Sequence, residues 1–201
     1  MGIIAVFGGT FNPIHIGHIE IIQEVLKISG VKKLIIIPTK IPPHKDTDFL
    51  ADEQDRVNMC RIVVNDLENV EVSDIELKRP GKSYTIDTIK VLKSIYPDDE
   101  IAITIGADMV TSFDKWKDYK EILSLSKIIT FSRATTDDTA YKSSIDMLSG
   151  LGASVITVDK KISDISSSAV RNMILNHKDV CAYLCEGVVN YINDNRLYEV
   201  K

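Results

Sequence analysis

The chain alternates between two hydrophobic patterns. Short continuous apolar runs, rich in Ile and Val, occur at Ile3-Ile4-Ala5-Val6-Phe7 and at 33–38, 70–77, 100–105, 127–131 and 153–158. Runs of that length and composition predict strands buried on both faces. Between them apolar residues recur every three or four positions. After the first run Ile19, Ile22, Val25 and Leu26 share one helix face, and similar patterns cover 52–67, 84–95, 119–125 and 139–148. Strand alternating with helix predicts a parallel sheet with helices on both faces, which binds ligands at the carboxyl ends of its strands.

Beyond Asp159 the pattern changes to a serine-rich turn and two or three short helices. The stripe Val180, Tyr183, Leu184, Val188, Tyr191 and Ile192 there should pack on the rest of the protein. The expected architecture is therefore α/β: a Rossmann-like doubly wound sheet over residues 1–164 with a small C-terminal helical part over 165–201, together a single domain. Two polar stretches, 39–49 and 133–139, read as mobile surface loops.

A net charge of −5, with both signs mixed along the chain, argues against a nucleic-acid partner held by bulk electrostatics. A strand beginning at Ile3 leaves no room for a signal peptide, and no apolar stretch reaches membrane-spanning length. Cys60, Cys181 and Cys185 suggest neither a disulfide framework nor a zinc site. Cys181 and Cys185 fall on a predicted helix, and all three read as small semi-buried residues of a cytoplasmic protein.

The chemistry concentrates directly after the first strand, in Gly8-Gly9-Thr10-Phe11-Asn12-Pro13-Ile14-His15-Ile16-Gly17-His18. Two glycines let backbone N–H groups approach an anion with no Cβ in the way. The following helix adds unpaired N–H groups and a positive dipole end. His15 and His18 sit three apart, on one helix face, where both can donate to the same phosphate chain. The string lacks the Gly-Lys-Ser/Thr of a Walker loop and is not a G-x-G-x-x-G fingerprint. A second constellation, Ile165-Ser166-Ser167-Ser168-Ala169-Val170-Arg171, places hydroxyls and a guanidinium at another helix start. A lone instance would read as an N-cap with a surface arginine. Beside the first motif it reads as an anion clamp, because a triphosphate needs charge on both sides.

The His-x-Gly-His at the start of the first helix resembles the nucleotidyltransferase superfamily. At 201 residues the chain is far too short for the aminoacyl-tRNA synthetases of that superfamily. Together with Ile-Ser-Ser-Ser-Ala-Val-Arg it is similar to the bacterial nicotinate mononucleotide adenylyltransferases. Pro42-Pro43-His44-Lys45, Ser83-Tyr84-Thr85-Ile86-Asp87-Thr88, Gly106-Ala107-Asp108 with Trp116, and Val189-Asn190-Tyr191-Ile192 with Leu197-Tyr198 extend the likeness nearly end to end. Four departures stand out. Asn12 occupies a position more often Asp, and Ser168 one that is usually Thr. Arg133 lacks a following Pro-Gly, and Cys185-Glu186-Gly187 lies where a proline is usual.

The resemblance implies adenylyl transfer from ATP to nicotinate mononucleotide in NAD synthesis. His15, His18, Lys45 and Arg171 would be the catalytic groups. ATP would meet Gly8, Gly9, Thr10, Phe11, His18, Gly106, Asp108, Arg133, Ile165, Ser167, Ser168 and Arg171. The mononucleotide would meet Thr10, Lys45, Ser83, Tyr84, Thr85, Asp108 and Trp116, the indole stacking on the pyridine ring. No metal ligands are expected from the chain, Mg²⁺ being delivered with ATP. No membrane partner is implied, and a homo-oligomer is left open. Two other readings share the first motif: a phosphopantetheine adenylyltransferase, disfavoured by the Ser83–Thr88 and Trp116 segments, and a nucleotide sensor without turnover. The intact His15, His18, Lys45 and Arg171 disfavour the sensor.

Overall fold

The computed structural model of the chain describes residues 1–40, 50–133 and 138–199, the side chains of 132, 133 and 138 excepted. Both sequence-predicted mobile loops fall largely outside these residues, as does the whole of His44-Lys45. The apolar runs form β1 (Ile3–Gly9), β2 (Val31–Pro38), β3 (Val70–Val72), β4 (Glu100–Gly106), β5 (Ser126–Arg133) and β6 (Val155–Ile162). They make one parallel sheet in the order β3-β2-β1-β4-β5-β6. The helices are α1 (Ile16–Leu26), α2 (Glu53–Val64), α3 (Thr85–Ile95), α4 (Ala107–Val110), α5 (Tyr119–Leu125), α6 (Asp138–Gly150), α7 (Ser167–Leu175) and α8 (Glu186–Asp194).

Alternation along the strands builds two cores. Ala5, Phe7, Leu34, Ile36, Ala102 and Ile129 face α1, α2, α7 and α8. Ile4, Val6, Ile35, Ile37, Ile103 and Ile105 face α3, α4, α5 and α6. Coverage on both sides is why the strands read as unbroken apolar runs. The C-terminal stripe packs as expected: Val180, Leu184, Val188 and Ile192 are buried in the first core, and Tyr183 and Tyr191 lie against it. Among the described residues no helix is long and apolar enough to cross a membrane.

Several boundaries differ from the sequence reading. β3 spans three residues, since only Val70–Val72 pairs with β2. The chain then turns, with the Leu77 and Lys78 N–H groups donating to the Asp74 carbonyl, and the Glu76 carboxylate accepts from Thr88 Oγ1 at 2.8 Å. β6 runs on to Ile162 through Asp159-Lys160-Lys161, because an edge strand tolerates charged residues facing water. In α1 the buried arc takes Ile21 with Ile22 and Val25, leaving Ile19 and Leu26 half-buried. α4 and a 3-10 turn at Phe113–Lys115 were not foreseen; they are too short to carry a periodic signal. Cys181 and Cys185 do not share a helix. Asp179 closes a turn by accepting from the Cys181 N–H, Cys181 is exposed, and Cys185 is the N-cap of α8. Burial pushes the Cys60 thiol well above its ordinary range, which makes it an inert core residue.

Two buried polar groups tie the periphery to the β1–α1 turn. Arg56 of α2 is 0% exposed and donates to backbone carbonyls of Thr10, Thr39, Lys40 and Ala51. Asn12 is 4% exposed, and its Oδ1 accepts from the Ala51 N–H at 3.1 Å and the Tyr198 hydroxyl at 2.8 Å. Burial drives the Tyr198 phenol strongly upward, against the lowering influence of Arg171 and Arg56, so it remains a neutral donor. Tyr198→Phe removes one hydrogen bond without changing shape. It is expected to cost about 0.5–1.5 kcal/mol, read as a lower urea midpoint at unchanged slope. An unmoved midpoint would mean that the tail is held by apolar contacts alone.

Candidate active site

The two central strands separate at their carboxyl ends. β1 pairs with β4 only as far as Val6↔Ile103, while it stays paired with β2 to Gly9↔Pro38. β4 remains paired with β5 to Gly106↔Phe131. A crevice therefore opens between Phe7-Gly8-Gly9 on one side and Thr104-Ile105-Gly106 on the other. Strand order reverses at this point, so the connections leave toward opposite sheet faces.

On the first face lies the glycine turn between β1 and α1. Phe11 is buried at φ +49°, a left-handed conformation that L side chains rarely adopt, and its ring packs edge-on against Phe7 and His18. That ring sets the requirement at Gly9, where a Cβ would meet Phe11 Cζ at 2.9 Å. A Cβ at Gly8 would meet nothing within 4 Å. His15 is the N-cap of α1 and His18 its third helical residue, joined in a capping box. The His15 N–H donates to His18 Nδ1 at 3.2 Å, and the two ring centroids lie 3.7 Å apart. An accepting Nδ1 fixes the neutral tautomer of His18 with its proton on Nε2. The shared face read from the sequence is thus realised as a close, tilted pair of rings.

α7 arrives beside this turn. Ser166 Oγ caps the helix by accepting from the Ala169 N–H at 3.1 Å. Ser167 Oγ donates to the Pro13 carbonyl at 2.9 Å. Arg171 donates through Nη1 to the Asn12 carbonyl at 2.8 Å and through Nη2 to Ser168 Oγ at 3.2 Å. Burial lowers the Arg171 pKa, opposed by Tyr198, but a guanidinium keeps its charge. Ile165, half-buried, leads into the helix from the first core. The three serines thus divide their work: one caps, one docks α7 on the turn, and one steadies Arg171.

The other face carries the residues expected to meet the second ligand. Tyr84 is the N-cap of α3 and Thr85 its first residue, so the first-turn N–H groups point out of the helix end. Ser83 Oγ accepts from the Lys40 N–H at 3.3 Å, which ties this end to the exit of β2. Trp116 is half-buried, one face stacked on Phe113 at 4.9 Å. Lys117 Nζ stands 4.3 Å over the Tyr84 ring, a cation beside α3 that sequence reading passed over. Gly106 and the exposed Asp108 sit at the end of β4, in the crevice mouth. Arg133 ends β5. Lys45 lies outside the described residues, as does the Arg133 side chain.

Arg56 is the principal residue that sequence reading missed, and Tyr198, named there only as part of the likeness, had no role assigned. Arg56 had a signal: it shares the i, i+3, i+4 face of α2 with Met59 and Cys60, where an arginine is out of place unless it is partnered. Among the described residues no cluster of three His, Cys, Asp or Glu could hold a metal ion. The donors around the crevice are N–H, imidazole and hydroxyl groups, a set suited to phosphate oxygens.

Residues 6–173 match the cytidylyltransferase-like family. A Fusobacterium nucleatum protein named "Probable nicotinate-nucleotide adenylyltransferase" is 39% identical over 93% of this chain and 92% of its own length. A Borreliella burgdorferi protein of the same name is 35% identical over 98% and 97%. The solved structure of a Plasmodium falciparum nicotinic acid mononucleotide adenylyltransferase complexed with NaAD superposes with TM-score 0.83 over 98% of both chains. At 19% identity it bears on the fold. The chain belongs to the cytidylyltransferase-like family, among the nicotinate-nucleotide adenylyltransferases.

The two glycines of the turn should respond differently to the same change. Gly9→Ala is expected to lose about 1–3 kcal/mol of stability from overpacking against Phe11. Gly8→Ala should stay within about 0.5 kcal/mol of the parent, since its methyl enters open space. Paired thermal melts check this, and equal losses would contradict the reading of Gly9 as a packing position.

Proposed function

We propose that this chain transfers the adenylyl group of ATP to nicotinate mononucleotide, giving nicotinate adenine dinucleotide and pyrophosphate. The observation that carries the reading is the β1/β4 crevice. It has a glycine turn and paired imidazoles on one sheet face, and on the other the α3 N-terminus, where Lys117, the neighbour of Trp116, lies over Tyr84.

The mononucleotide 5′-phosphate is already an anion. Its oxygen attacks the α-phosphorus of ATP, the bond to the β-bridging oxygen breaks, and pyrophosphate leaves with that electron pair. No general base is needed, so catalysis consists of positioning and charge stabilisation. Thr10, with the backbone at Gly8, Gly9 and Phe11, holds the reacting phosphates. His18, with its proton on Nε2, donates to the ATP phosphates, and His15 supports it from the helix cap. Ser167, Ser168 and Arg171 serve the β- and γ-phosphates, with Ile165 and Arg133 beside the nucleotide. Ser167 must exchange its bond to the Pro13 carbonyl to do so, which ranks it below Arg171 as a ligand. Lys45 adds a further positive charge. Asp108 and Gly106 take the ribose region. Mg²⁺ carried on the ATP phosphates supplies charge neutralisation when bound.

The pyridine ring lies against Trp116, and its carboxylate is received by N–H groups at Tyr84 and Thr85, next to Ser83. A pyrophosphate-release assay with nicotinate mononucleotide and ATP tests the whole reading, and no release by folded protein would overturn it. His18→Ala should reduce kcat about 10²–10³-fold, the usual cost of losing one donor aimed at transition-state charge. Near-normal turnover by a folded variant would remove His18 from the mechanism. Nicotinate mononucleotide should be preferred over its amide by at least about tenfold in kcat/KM. An amide NH₂ facing an N–H leaves a buried polar group unpaired, at a cost of roughly 1–3 kcal/mol. Competition at limiting acceptor measures this. Equal efficiency would overturn the acceptor-site assignment and leave adenylyl transfer intact.

A further inference from the structure

Arg56 is the bulkiest fully buried side chain among the described residues, and all its acceptors are backbone carbonyls. Nε donates to Ala51 at 3.2 Å, Nη1 to Thr10 and Thr39 at 2.8 Å each, and Nη2 to Lys40 at 3.4 Å. Burying a cation is costly, and an apolar side chain of similar volume would fill the space more cheaply. What a guanidinium alone can do is gather carbonyls from three chain segments into one plane.

Two contacts, one of them from Arg56, decide where the turn points its N–H groups. The Gly9 carbonyl accepts from the Thr39 N–H at 2.9 Å, and the Thr10 carbonyl accepts from Arg56. In a trans peptide the N–H points opposite to the C=O. The Thr10 and Phe11 N–H groups are therefore directed away from β2 and α2, toward the side where β4 has diverged. Successive N–H groups aimed one way form a concave anion site.

We propose that Arg56 is a positioning residue for phosphate recognition: by holding the Thr10 carbonyl, it aims the Phe11 N–H at the nucleotide phosphates. The proposal rests on the reading that those phosphates occupy this turn. It predicts a loss confined to the phosphate part of the ligand. Calorimetry on Arg56→Lys and Arg56→Gln compares Mg·ATP with adenosine, which carries the same base and ribose without phosphates. ATP affinity should fall about tenfold or more, consistent with losing one charge-assisted contact, while adenosine affinity stays within about twofold. Equal weakening of both ligands would mark general structural damage and overturn the proposal, as would unchanged ATP affinity. If neither variant folds, amide NMR of the unaltered chain decides. The Phe11 resonance should move with ATP and with inorganic pyrophosphate but not with adenosine, and a resonance unmoved by pyrophosphate overturns the proposal. Absent pyrophosphate release by the unaltered chain would bear on the transferase reading alone, because both Arg56 readouts are binding measurements.

Discussion

Everything at the site depends on one constraint of parallel sheets. Each crossover must climb back over a face, and in the order β3-β2-β1-β4-β5-β6 the crossovers leaving β1 and β2 cover one face while those leaving β3, β4 and β5 cover the other. β1 and β4 part after Val6 and Ile103 while each stays paired with its outer neighbour, and the gap between their ends is the crevice. The helices that follow β1 and precede β4, α1 and α3, lie on opposite faces, and both present their N-termini at the strands' carboxyl ends. Two anionic ligands can therefore approach the same gap from two sides, each met by a helix dipole of favourable sign.

The crevice is only as well defined as the turn beside it, and that turn is held mainly from outside. Pro13 accepts from Ser167, Asn12 from Arg171, Ala51 and Tyr198, and the Ile16 N–H donates to the Tyr183 carbonyl. The C-terminal helices thus help to hold the β1–α1 turn rather than forming an appendage to the sheet. Asn12 suits this place because one amide oxygen can accept from a backbone N–H and a phenol together without burying a negative charge.

The histidine pair and the serine run both show a motif dividing into roles when folded. His15 is 6% exposed and caps α1, whereas its N–H fixes the ring of His18, which is half-buried and nearer solvent. Of three adjacent serines only Ser168 has its hydroxyl engaged with the guanidinium of Arg171. Adjacent residues of one type leave a helix start in different directions, so repetition in sequence does not mean repetition of function.

Local pattern carried the six strands, the principal helices and the two glycine- and serine-marked turns, because burial on both faces leaves an unbroken apolar run and a half-buried helix leaves a period of three to four. It also marked the turns where candidate phosphate donors gather, since glycine, histidine, serine and arginine bring backbone N–H, imidazole, hydroxyl and guanidinium groups wherever the chain folds. Only the tertiary structure decided where β1 and β4 separate, that α3 reaches the gap from the other face, and that Trp116 spends one face on Phe113. The same holds for Arg56 and Tyr198. Their partners lie 46 and 186 positions away, at Thr10 and Asn12, and no local period can report a hydrogen bond that exists only when distant segments meet.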